Sequence, residues 1–524
     1  MRAVIRPGGL ALLCIAMTSV SVAATPTTRV IPTAEGGVTG QMLGGVAVFR
    51  GVPYAAPPEG EWRWRPPRPA AHRDAVLDAS AFGTICPQSR RTPYPLAGVP
   101  MGEDCLRLNI YVPASAFDGG ARVPVMVWIH GGSYRWGAGS WPGAEPFALA
   151  HKGVAVVTIN YRLDRLGLFA HPALSASMPG EPLANYALMD QVAALRWVHE
   201  NIAAFGGDPS RVTIFGQSAG GVSVTTLMAT PSARGLFQGA IAQSGAARIE
   251  GDRRLRGEGG PFLSLEADGL LMATSLGIAN DGAAPATLRA LPTDRIIAYS
   301  EKEIPNSMNP VVDGEVLPDD ISRTFRAGRQ QPVPFLSGTT SWEASLLGPY
   351  EFKLKDMLRG EDPAAVRQAY AGLDEAALPK TWFMDMLFRG PARFLAGEMP
   401  SVGKPAWLYE FSYVAEGRRG SVPGAAHSDD VAFAFGDPGM NRRSRADTPP
   451  TAADRHMAEI VSGYWVNFAK HGDPNGPGLP HWPRYERRTD LMLDLGTKVL
   501  VRQPERAEQL HFLDGLYETA LGTR

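Results

Sequence analysis

Arg211-Val212-Thr213-Ile214-Phe215-Gly216-Gln217-Ser218-Ala219-Gly220-Gly221 is the stretch whose reading decides the fold. Arg211 to Phe215, with its β-branched and aromatic residues, reads as a short strand. Gly216 to Gly221 reads as a glycine-flanked turn, and Val222 to Met228 continues it as a helix. Within the turn, Gly216-Gln217-Ser218-Ala219-Gly220 has the form G-x-S-x-G. Small residues on both sides of a serine permit a sharp strand-to-helix reversal that holds the hydroxyl clear of the backbone. Glycine and serine are common in ordinary loops, so five residues carry little alone. The strand before them and the helix after them supply the context that this motif requires.

The flanking sequence extends the pattern. Val123 to Ile129 (VPVMVWI) and Gly153 to Asn160 (GVAVVTIN) are continuous apolar runs of the kind buried on both faces of a sheet. Asn185 to Phe205 places Ala187, Leu188, Val192, Leu195, Val198 and Ile202 at three- and four-residue spacing, as a crossover helix requires. Strand, helix, strand, turn, helix predicts an α/β protein with a mostly parallel central sheet flanked by helices. Phe262 to Tyr299 and Leu346 to Pro400 show helical periodicity with proline breaks and no strong strand runs, and are expected to be helical insertions capping the sheet. No low-complexity linker divides the chain, so residues 25–524 are expected to form one domain.

The formal charge of −1, from 51 basic and 52 acidic residues, provides no field for holding nucleic acid or an anionic membrane. Arg2 and Arg6, the apolar run Gly9 to Met17 and the small residues Ser21 to Ala24 read as an export signal over residues 1–24. The run is too short for a membrane anchor, and Leu13 before Cys14 is too bulky for a lipid-attachment site. The expected location is therefore the periplasm or the medium. Cleavage leaves Cys86 and Cys105, which an oxidising compartment would join. On a chain-entropy argument, closing that loop restricts the unfolded state by about 3 kcal/mol.

A serine hydroxyl at its free pKa is a weak nucleophile and needs a histidine base held in one tautomer by an acid. In folds with this turn the order is serine, acid, histidine. His427, His456, His471, His481 and His511 lie downstream of Ser218, and Asp313, Asp319, Asp320 and Glu343 are acids between. His427 lies in a small-residue loop before the apolar run Val431 to Phe435, and Glu343 follows the strand-like run Pro334 to Gly338. Both placements suit a loop at a strand end. Neither excludes the alternatives.

The chain resembles the type-B carboxylesterase/lipase family, which includes para-nitrobenzyl esterases, carboxylesterases and cholinesterases, over nearly the whole mature length. The resemblance rests on Phe205-Gly206-Gly207-Asp208 leading to Gly216-Gln217-Ser218-Ala219-Gly220, and on Glu103-Asp104-Cys105-Leu106-Arg107-Leu108-Asn109, where Arg107 replaces the usual Tyr or Thr. Arg50 to Ala55, Asn160 to Leu163, Asp190-Gln191 and Trp482-Pro483 add to it. It implies an α/β-hydrolase fold with helical cap insertions and a triad of Ser218, Glu343 and His427. Matching His130-Gly131-Gly132-Ser133 to the family's oxyanion loop gives the N–H groups of Gly132, Ser133 and Ala219 as donors, with Ser133 in place of the commonest third glycine.

These residues imply hydrolysis of small to medium carboxylic esters through an acyl-enzyme, with no metal and no organic cofactor. The only implied partner is the small-molecule ester. Cholinesterases carry a glutamate before the serine and a tryptophan in the cysteine-bounded loop, both favouring a quaternary ammonium ion. Here Gln217 is neutral and Cys86 to Cys105 contains no Trp, which disfavours choline esters. Arg135, just beyond the oxyanion loop, together with Arg90, Arg91, Arg418 and Arg419, could read an acidic substrate group; Gln217 and Arg135 are the candidate substrate-binding residues. The alternatives are a lipase, peptidase or polyester or xenobiotic ester hydrolase with the same triad, and a catalytically silent binding member of the family.

Overall fold

The computed structural model describes residues 27–92, 98–140, 145–246, 253–257, 263–302, 308–348, 352–358, 360–440 and 449–522. The export signal read over residues 1–24 lies outside them.

The centre is an eleven-stranded sheet. Seven neighbouring strands run parallel: Met492–Leu495, Ala406–Phe411, Phe335–Thr340, Gly239–Gln243, Gly207–Gln217, Val123–Ile129 and Ala155–Ile159. Arg107–Pro113, Val46–Pro53 and Gln41–Leu43 continue one edge antiparallel, and Val499–Arg502 closes the other. A separate small sheet joins Ile31–Thr33, Gly36–Thr39 and Leu77–Asp78.

The apolar runs lie at the middle because both their faces are covered. Val125, Val127 and Ile129 face one hydrophobic cluster, while Met126 and Trp128 face the other. A strand buried on both sides needs apolar residues at every position, which is why this run lacks alternation. The helix Tyr186–Asn201 packs Leu188, Val192, Leu195 and Val198 into the first cluster. The helix Ala452–His471 packs Val461, Tyr464, Trp465 and Phe468 into the second.

The chain leaves Val123–Ile129, pairs on one side as Ala155–Ile159, then crosses to the other side as Gly207–Gln217. That reversal is a topological switch point, where the strand-end loops part and leave a crevice at the carboxyl ends. Both His130-Gly131-Gly132-Ser133 and Ser218 begin there.

The expected insertions are helical, at Leu265–Ser275, Ala284–Arg289, Thr293–Lys302, Pro363–Ala369 and Ala377–Met384. One part of that expectation is corrected. Gly390–Glu398 is no cap: it packs on Phe335–Thr340 and Ala406–Phe411, burying Ala392, Phe394, Leu395 and Ala396 as the crossover between those parallel strands. Periodicity identifies a helix and its apolar face but not the surface that face meets.

Candidate active site

Ser218 is the single residue between the strand Gly207–Gln217 and the helix Ala219–Ala229. Its φ of 58° lies in a region that residues with a Cβ avoid, so neighbouring contacts must hold it there. Its N–H donates to the Gln243 carbonyl of the adjacent strand at 2.9 Å, and its carbonyl accepts from Val222 N–H at 2.9 Å. A Cβ at Gly220 would run into the Ile129 carbonyl, which explains why the turn carries glycine there.

Glu343 opens a short 3-10 turn just past the strand Phe335–Thr340 and is fully buried. Its Oε1 accepts from Thr340 N–H at 2.7 Å, and its Oε2 lies 2.5 Å from His427 Nδ1. Burial raises its carboxyl, but the His427 ring, its hydrogen bond and the Thr340 N–H outweigh burial and hold it below the usual carboxylate range. The two loops are also tied by their backbones. Trp342 N–H donates to the Ala425 carbonyl at 2.9 Å, Ala425 N–H to Ser341 Oγ at 2.9 Å, and His427 N–H to Ser345 Oγ at 2.8 Å.

The His130-Gly131-Gly132-Ser133 loop lies directly against Ser218. A Cβ on Gly131 would sit 2.5 Å from the Gln217 carbonyl oxygen and 3.1 Å from Ser218 Cβ. Gly132 and Ser133 have φ of 109° and 55°. The N–H groups of Gly132, Ser133 and Ala219 make no hydrogen bond among the described residues, the last because a helix's first N–H groups have no intrahelical acceptor. His130 itself is structural. It is buried, stacks on Tyr161 at 4.3 Å between ring centroids, and burial pushes it down to about 4, leaving the ring neutral at pH 7.

Supports that the sequence did not reveal surround this loop. Gln88 Nε2 donates to the Gly137 carbonyl and its Oε1 accepts from Gly137 N–H, both at 2.9 Å. Tyr134 and Gln191 both meet the Ser223 hydroxyl, at 2.8 and 3.0 Å. Phe388, in a π-helical turn over Asp385–Arg389, sets its ring 5.5 Å from that of His427. A π-turn leaves no sequence periodicity that marks it, although such turns gather at functional sites. Arg162 and Asp190, both in the family-like segments, form a buried bidentate pair at 2.7 and 2.8 Å. That makes them structural.

Cys86 and Cys105 are joined in a disulfide. Three of the arginines have partners within the protein. Arg135 donates to the Ser300 carbonyl at 2.9 Å and lies 3.7 Å from Asp164, so its guanidinium is held by protein groups. Arg418 pairs with Asp429 at 2.8 Å and Arg419 with Glu416 at 3.0 Å. Gln217 is buried, with Nε2 at 3.1 Å from His427 Nε2 and Oε1 accepting from Ser428 Oγ at 3.0 Å.

The carboxylesterase family pattern matches residues 27–374 and 379–513. A fumonisin B1 esterase of Sphingopyxis macrogoltabida is 33% identical over 496 residues, covering 91% of this chain and 88% of its own. A para-nitrobenzyl esterase of Bacillus subtilis is 33% identical over 505 residues, covering 92% and 98%. A solved PNB esterase structure superposes with a TM-score of 0.82 at 30% identity, covering 92% of this chain and 99% of the other. Such likeness over more than nine-tenths of the length, on an α/β-hydrolase sheet with its serine turn at the switch point, places this chain in the carboxylesterase family, as a carboxylic ester hydrolase.

Proposed function

We propose that Ser218 is the nucleophile of this esterase, His427 its base and Glu343 the acid that orients the base. The observation carrying this reading is the Glu343–His427 hydrogen bond beside the strained serine turn. The Glu343 carboxylate accepts a hydrogen bond from Nδ1–H and stays ionised, so a neutral His427 presents its Nε2 lone pair as base. Ser218 gives its proton to Nε2 as its oxygen attacks the ester carbonyl. The negative charge on the former carbonyl oxygen is met by the unbonded N–H groups of Gly132, Ser133 and Ala219, each worth about 3 kcal/mol in the transition state. His427 then protonates the leaving alcohol. Water, deprotonated by His427, releases the acid from the acyl-enzyme and restores Ser218.

The substrate class we propose is neutral carboxylic esters of small to medium acyl chains, the para-nitrobenzyl ester among them. Gln217 brings no charge next to the serine, and Arg135, Arg418 and Arg419 are paired within the protein. Residues 1–24 are proposed as an export signal and residues 25–524 as a single catalytic domain in the periplasm or medium. The Cys86–Cys105 bond supports this, since disulfides persist in oxidising compartments. No helix among the described residues is long and apolar enough to cross a membrane.

Hydrolysis of nitrophenyl esters of increasing acyl length by purified wild type and Ser218→Ala tests the assignment. Turnover by wild type that disappears in the variant is expected, with the shorter chains preferred. Turnover that survives in Ser218→Ala overturns the nucleophile. The mass of the mature chain from the periplasm or medium checks cleavage near Ala24.

A further inference from the structure

Gln217 ends the strand that delivers Ser218, yet its side chain points to the base. The amide Nε2 lies 3.1 Å from His427 Nε2, and Oε1 accepts from Ser428 Oγ at 3.0 Å, so the amide N–H end faces the ring. On the far side of the imidazole, Nδ1 faces Glu343 Oε2 at 2.5 Å. Glu343 is an acceptor, so Nδ1 carries a hydrogen; the amide nitrogen is a donor, so Nε2 must present a lone pair. With the amide N–H end at the ring, these contacts match neutral imidazole protonated at Nδ1. An imidazolium would bring N–H against N–H at the Gln217 contact.

We propose that Gln217 is a positioning residue that holds His427 in the neutral, Nδ1-protonated form between turnovers and so extends esterase activity toward lower pH. The inference rests on Ser218 and His427 acting as nucleophile and base. Other groups around His427 are Glu343, whose carboxylate favours the imidazolium; Asp430, buried three residues further on; and Asp429, neutralised by Arg418. From the remaining sides, Phe388 contributes only an apolar ring, and Ser345 meets the backbone N–H. Glu343 thus pulls toward the charged ring, joined by Asp430 only where that buried carboxyl has ionised, and the Gln217 amide opposes them at the nitrogen that must act as base. The same contact occupies the Nε2 lone pair, so the Ser218 hydroxyl takes that place only when the amide yields it.

The test compares the acidic limb of kcat/KM against pH for wild type, Gln217→Glu and Gln217→Met on a nitrophenyl ester, each limb read relative to that protein's own plateau. A carboxylate at 217 accepts from Nε2–H and favours the imidazolium, so the limb should rise by about one pH unit in Gln217→Glu. The apolar isostere only removes the donor, and about half that rise is expected in Gln217→Met. Where turnover is slow, the pH dependence of Ser218 labelling by a nitrophenyl phosphonate, read by mass, reports the same limb. A limb that stays at the wild-type pH in Gln217→Glu, or moves down, overturns the inference. Ser218→Ala measured alongside separates the two claims: turnover surviving there overturns the nucleophile assignment, whereas a Ser218-dependent enzyme whose limb ignores residue 217 overturns this inference alone.

Discussion

The Gln88 side chain grips Gly137 from both sides, donating to its carbonyl and accepting from its N–H at 2.9 Å each, while also donating to the Cys86 carbonyl at 3.1 Å. One amide therefore links the disulfide-bounded segment to the far end of the loop that faces Ser218. Gln88→Ala leaves both Gly137 groups buried without partners, at about 2 kcal/mol of stability. A fall in kcat of about tenfold with KM little changed is expected, because displacing the loop proposed to hold the oxyanion acts on the transition state rather than on ground-state binding. Steady-state kinetics beside thermal unfolding check this, and a rise in KM at constant kcat counts against it.

Glu343→Gln preserves shape but replaces the acceptor on His427 Nδ1 with a group that can stabilise the wrong tautomer. A drop in kcat of about 10⁴ is expected, by analogy with the carboxamide replacement in a serine protease triad. A variant that folds as wild type and keeps more than a tenth of its kcat would remove Glu343 from the proposed triad.

Gly131→Ala would place a methyl group 2.5 Å from the Gln217 carbonyl oxygen and 3.1 Å from Ser218 Cβ. The loop must retreat by a fraction of an ångström or more, and misplacement of that order costs about 10² in rate. Full activity on short acyl esters would show that the loop can relax without moving its N–H groups.

Asp430 is buried, with Gln243 Nε2 and Tyr409 Oη both donating to its Oδ2 at 2.9 Å. Burial pushes its carboxyl up to about 6 from an ordinary 3.8. The folded state therefore holds this proton more tightly than the unfolded chain. Its stabilising effect is complete below about pH 4 and is lost as pH rises through about 6, a change of about 3 kcal/mol. Asp430→Asn removes that dependence, so the variant's Tm relative to wild type should climb by a few degrees between pH 4 and pH 7.5. A Tm difference that is constant across this range would refute the assignment.

The fold was legible where the chain is apolar at every position. Val123–Ile129 and Ala155–Ile159 could be central strands only, and the Ser218 turn announced the strand and helix on either side of it. The partners proposed for Ser218 were not legible from spacing, because Glu343 and His427 are 84 residues apart and meet only after the strands Phe335–Thr340 and Ala406–Phe411 have taken their register. Several acids and histidines satisfied the same order, and a family resemblance chose among them. The contacts of Gln217 were not legible for a related reason: at a strand end, the direction of a side chain depends on which loop arrives beside it, here the one bearing His427 and Ser428. Arg135 likewise reads as a free cation until Asp164 and Ser300 are brought to it.

The hydrogen bonds from Trp342 to Ala425, Ala425 to Ser341 and His427 to Ser345 have a mechanical consequence. They splint two loops into one leaf, so thermal motion that lifts either loop carries the other with it. The Glu343–His427 contact therefore rides on a shared frame, and a change that displaces one loop shifts both partners together rather than opening the gap between them.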